Sequence, residues 1–160
     1  MHTFVDAAGR TWTVAIHVDA LKRVRALAQV DLLEAVEGKL LERLTTDPVL
    51  LCDVLYALCK PEAQANSVTD EDFGRAMAGD AIEGATTALL EELVDFFPKG
   101  RRALLAKALA KMREVESLAQ SLAAKRLDDP ALLEKVREAL GDVGDSSGTS
   151  PASAGATPAG

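Results

Sequence analysis

Apolar and polar positions alternate at the start of the chain, then change period. Over 3–18, Thr3-Phe4-Val5, Asp6-Ala7-Ala8-Gly9-Arg10 and the run Thr11 to Val18 read as strand, turn and strand. Trp12, Val14, Ile16 and Val18 share one face and Thr11, Thr13 and His17 the other, the period-two pattern of a half-buried strand. Gly9 stands where the hairpin loop requires positive φ, which glycine adopts without steric cost. An isolated hairpin is marginal in water, so the Trp12 face has to pack on the helical remainder or on another chain.

From Asp19 the apolar spacing becomes helical, and the punctuation is legible. Asp19 is placed to cap a helix carrying Leu21, Val24, Leu27 and Ala28. Asp31 with Glu34 forms a capping-box pattern for a segment through Leu33, Val36, Leu40, Leu41 and Leu44, with Gly38 inside it. Asp47-Pro48 joins a cap to a proline at the first helical position. The helix it opens carries Leu51, Val54, Leu55 and Leu58, and is expected to stop before Pro61. Thr69 with Asp72 opens a short helix around Phe73 and Met77, ended by Gly79. Asp80 with Glu83 begins another, running to Phe96-Phe97 and closed by Pro98. Lys99 to about Leu127 is a single long helical run, a rod of roughly 40 Å. Asp129-Pro130 repeats the cap-and-proline device for a last helix through Leu133, Val136 and Leu140, stopped by Gly141. The expected fold is mainly α: an N-terminal β-hairpin, then a multi-helix bundle with one long C-terminal helix. Residues 1–141 form the helical domain, and 142–160, rich in Gly, Ser, Pro and Ala, read as a flexible tail.

Composition narrows the classes of function. The 160 residues are 48% hydrophobic and 27% charged, enough apolar content to build a core. No apolar run approaches the roughly 18–20 residues of a membrane span, and the N-terminus lacks a signal-peptide pattern, so a soluble intracellular protein is expected. Cys52 and Cys59 are two turns apart on one helix face, about 10 Å between Cα atoms, too far for a disulfide. They read as buried apolar residues, and no metal or cofactor is expected. The sequence carries no nucleophile motif, phosphate loop or His-Glu-x-x-His, so no catalytic residue is assigned.

Two features bear on binding. Lys99, Arg101, Arg102, Lys107, Lys111 and Arg113 form a basic run with no intervening acid. A net charge of −7 weighs against a nucleic-acid stripe, and a solvated face paired with Glu91, Glu92 and Asp95 is preferred. On the same helix Leu105, Ala108, Met112, Val115, Ala119 and Leu122 follow a 3-4 spacing, the seam of a packed or coiled helix pair. Phe96 and Phe97 are adjacent and cannot both face one narrow stripe, so one of them is expected at a corner or an interface. The candidate protein-binding residues are therefore Phe4, Trp12, Phe96, Phe97, Leu105, Met112, Val115 and Leu122.

In its order of elements and several phrases the chain resembles the tail assembly chaperones of tailed bacteriophages and prophages. The phrases are Phe4…Gly9-Arg10-Thr11-Trp12-Thr13-Val14 leading into Val18-Asp19-Ala20-Leu21-Lys22-Arg23-Val24, the helix from Asp47-Pro48 to Cys59, and Asp70-Glu71-Asp72-Phe73-Gly74-Arg75. The resemblance implies a non-enzymatic adaptor in the host-cell cytoplasm. It would bind the tape measure protein, keep that long helix soluble and help recruit tail tube subunits. A homo-oligomer is open; nucleic-acid and membrane partners are not expected. The alternatives are a structural component of the virion, such as a tail or head–tail connector subunit, and, last, a nucleic-acid-binding regulator.

Overall fold

The computed structural model describes residues 1–142. The expected tail lies outside them, apart from Asp142. The chain divides into two compact units, 1–113 and 114 onward.

The first unit opens with the hairpin. β1 (His2–Val5) and β2 (Thr11–Val14) pair antiparallel, with Phe4 opposite Trp12. The loop between them is organised by the buried carboxylate of Asp6. Its Oδ1 accepts the N–H groups of Ala8 (3.0 Å) and Arg10 (2.9 Å). Its Oδ2 accepts Arg10 Nε (2.7 Å) and Trp12 Nε1 (2.8 Å). Gly9 takes φ +78°, as the turn demands.

The second strand is shorter than the alternation suggests. The chain leaves the strand after Val14, so Val18 opens α1 (Val18–Ala28) and is exposed instead of joining the Trp12 face. His17, not Asp19, caps that helix, its Nδ1 accepting the Ala20 N–H at 3.2 Å. Asp19 falls in the first turn and pairs with Arg23 one turn on.

The segment after Asp31 departs from a plain α-helix. Asp31 caps it through the Leu33 N–H, but Leu32–Glu37 is a 3₁₀ turn, and Gly38 at φ +83° separates it from α2 (Lys39–Thr46). A 3₁₀ turn repeats every three residues, so it buries Leu32 and Ala35 and leaves Leu33 exposed. Asp47 caps α3 (Pro48–Ala65) through Val49 and Leu50.

α3 does not stop before Pro61; it continues one more turn. Proline has no N–H to offer the carbonyl of Ala57, four residues back. Arg23 of α1 supplies the donor, its Nε lying 2.6 Å from Ala57 O and its Nη2 3.3 Å from Leu58 O. The helix then closes with paired bonds, Ser67 N to Gln64 O and Val68 N to Ala63 O, with Ser67 at φ +55°.

Thr69 caps α4 (Asp70–Ala76) through the Asp72 N–H. Gly79, at φ +56°, precedes α5 (Asp80–Phe96), so Asp80 is its first residue and not its cap. Pro98 separates α5 from α6 (Lys99–Leu127), the long helix anticipated from the pattern, which contributes residues 99–113 to this unit.

The core settles where the hairpin packs. β1 lies on α5, β2 on α3, and α1 on α3. Phe73 of α4 stands edge-on to Trp12 (ring centroids 4.9 Å) and to Phe4 (6.5 Å). The polar edge of the hairpin is tied down as well. Glu62 accepts the Thr13 N–H and Glu92 the Ile16 N–H, both at 3.0 Å.

The described part of the second unit is the end of α6 together with α7 (Pro130–Asp142), which Asp129 caps through the Ala131 N–H. α7 passes through Gly141, where the sequence pattern predicts its end. One glycine in a helix costs about 1 kcal/mol and does not forbid the turn.

Candidate protein-binding surface

Four of the candidate residues belong to the interior. Phe4, Trp12, Phe97 and Leu105 are buried, so as binding-surface candidates they are corrected to core residues. Phe4 and Trp12 are closed over by Phe73, and their hairpin face packs within the chain. Phe97 follows the last turn of α5 and turns inward, while its neighbour Phe96 is half-buried, the corner arrangement the adjacent pair required. Met112 is likewise half-buried against the core.

The seam of α6 is covered only in part. Leu105 and Leu109 are buried, Ala108 and Met112 half-buried. Beyond Met112 the cover ends. Every side chain from Arg113 to Leu140 is exposed. Val115 is 57% exposed, Leu118 61% and Leu122 50%. These three sit at i, i+3 and i+7 and so share a helix face. On α7, Leu132, Leu133, Val136 and Leu140 form a second stripe, 43–69% exposed. Of the sequence candidates, Val115 and Leu122 are therefore exposed among the described residues. Leu118 and the α7 stripe are not among those candidates. The helical spacing of 132–140 carries a signal, but core packing produces the same spacing.

Two members of the basic run of α6, Arg102 and Arg113, meet acceptors at the end of α5, whereas Glu92 is buried and accepts the Ile16 N–H instead. Arg102 donates to the carbonyls of Asp95 (2.7 Å) and Phe97 (3.2 Å), and Arg113 reaches Glu91 at 3.5 Å. Between the carboxylates of Glu91 and Asp95 stands His2, its Nδ1 3.2 Å from the first and its Nε2 3.1 Å from the second. The hydrogen bond from His2, aided by Arg102, holds the Asp95 carboxyl below the usual carboxylate range. His2 also divides two shallow depressions of about 330 and 340 Å³. Asp80, Glu83 and Glu91 give the first an acidic rim.

The cysteines are set apart from this surface. Burial, reinforced by nearby carboxylates, pushes the Cys52 thiol up to about 11 and the Cys59 thiol up to about 12. Both are free, and both are protonated at neutral pH. Among the described residues no group of three or more His, Cys, Asp and Glu could hold a metal ion, and no helix is long and apolar enough to cross a membrane. No family model, curated protein or solved structure matches the chain.

Proposed function

We propose that the protein is a non-enzymatic assembly chaperone or adaptor of the phage-tail kind, which holds a helical client, the tape measure protein, against its exposed helix faces. One observation carries this: from Glu114 to Leu140 the chain presents eight large apolar side chains and buries none of them. Seven of these, all but Leu127, fall on the two stripes of α6 and α7. Single exposed apolar residues are ordinary; stripes at helical spacing mark a place where another polypeptide docks. An amphipathic helix laid along such a stripe buries its i, i+3, i+4 and i+7 side chains there. The net charge of −7 favours a basic client and keeps the unloaded protein soluble.

The test is co-expression with the cognate tape measure protein, followed by affinity capture at low salt. Retention of the client, and its solubility only in the presence of this chain, is the expected result. A client that is equally soluble alone and is not retained overturns the proposal. Mass spectrometry of purified particles separates a chaperone, absent from them, from a structural subunit.

A further inference from the structure

We propose that the second half of α6 is also a self-association surface, on which two copies of this chain pair antiparallel through Val115, Leu118 and Leu122. Val115, Leu118, Leu122 and Lys125 follow a 3-4-3 spacing, one stripe of a heptad pattern, and all four are exposed. In the antiparallel register that sets Leu118 against the partner's Leu122, Lys125 falls on the partner's Val115 and beside the partner's Glu114. Two-fold symmetry repeats each contact. The aliphatic stem of Lys125 covers the valine while its ammonium meets the carboxylate. A parallel pairing would set Glu114 against Glu114 and Lys125 against Lys125. The charges at the two ends of the stripe thus select the antiparallel partner, and they make the stripe complementary to itself.

The interface is short. Two Leu–Leu layers flanked by two Val–Lys layers span about 15–20 Å of helix, less than an obligate dimer buries, so association is reversible and depends on concentration. The inference rests on the same exposed helices as the adaptor reading and deepens it, because pairing of α6 leaves the α7 stripe for the client. It is tested on the protein alone, so its failure and the failure of client binding are distinguishable.

Sedimentation equilibrium of the full chain, from low micromolar to near-millimolar concentration, reads the dimer directly. The wild type is expected to show a monomer–dimer equilibrium and Leu118→Glu to be monomeric throughout. Lys125→Glu or Glu114→Lys alone should weaken the dimer about tenfold. The double exchange E114K/K125E should return it to within about threefold of wild type. All these positions are exposed, and unchanged far-UV circular dichroism checks that the helices persist. A wild type that stays monomeric at the highest concentration overturns the proposal. So do single exchanges that leave the dimer unchanged, or a double exchange that fails to restore it.

Discussion

Arg23 supplies the hydrogen bond that Pro61 removes. Its guanidinium, on α1, lies 2.6 Å from the carbonyl of Ala57, which faces the missing N–H of Pro61 one turn along α3. A proline in a helix interior costs about 3 kcal/mol in part because that carbonyl is left without a donor. Here a side chain 38 residues earlier in the chain provides one, and in doing so it fastens α1 to α3.

A double-mutant cycle follows from this pairing. Arg23→Ala should cost about 2 kcal/mol of unfolding free energy, because it leaves the Ala57 carbonyl unsatisfied. In a Pro61→Ala background the helical N–H returns, and the same arginine removal should cost clearly less. Urea denaturation of the four proteins checks the coupling. Strict additivity would mean that Arg23 acts elsewhere.

Asp6 governs the hairpin. Asp6→Asn should destabilise by about 3 kcal/mol, because an amide cannot accept at both positions where the Ala8, Arg10 and Trp12 donors converge. Burial acts to raise the Asp6 pKa, but the hydrogen bonds from Trp12 and Arg10, with the charge of Arg10, outweigh it and hold the group low. A carboxylate depressed on folding adds stability above its unfolded pKa of about 3.9 and loses it as pH falls through the lower folded value. The wild type should therefore lose stability below about pH 4, and the Asn variant should lose less over the same interval. Thermal melts across that range decide it.

Ser67 occupies the left-handed position that closes α3, where glycine is the usual residue. Ser67→Gly should raise the unfolding free energy by about 0.5–1 kcal/mol by relieving a Cβ contact that outweighs the added chain entropy. Calorimetry is the measurement.

Core and surface apolar residues should respond differently to substitution. Trp12→Ala should cost about 3–5 kcal/mol. By contrast Leu133→Glu and Val136→Glu, on the exposed stripe of α7, should leave stability within about 0.5 kcal/mol while abolishing the proposed retention of the tape measure protein. Denaturation curves run beside the affinity capture give both readouts.

These cases show how far the residues alone carry the fold. The caps at Asp47, Thr69 and Asp129 and the long α6 are local, so they are legible from neighbouring positions. Pro61 reads as a stop because its rescue comes from Arg23, a distant contact that no local rule contains. Val18 continues an alternation that the backbone has already left, since His17 can serve either as a strand residue or as a cap. Burial at Leu33 and Val36 assumes a period of 3.6, while Gly38 allows a three-residue repeat that shifts burial to Leu32 and Ala35. The surface is hardest to read. Phe4 and Leu122 look equally apolar in a sequence, yet Phe73 closes over the first and none of the described residues buries the second.

The proposed docking of a client on α7 is tested most directly by hydrogen-exchange mass spectrometry on this chain mixed with the tape measure protein. Amides of α7, an exposed helix with few packing contacts to hold its hydrogen bonds closed, should gain protection on client binding, while those of the hairpin and α3 stay unchanged. Protection gained in the first unit, with 130–140 exchanging as in the free protein, would contradict it.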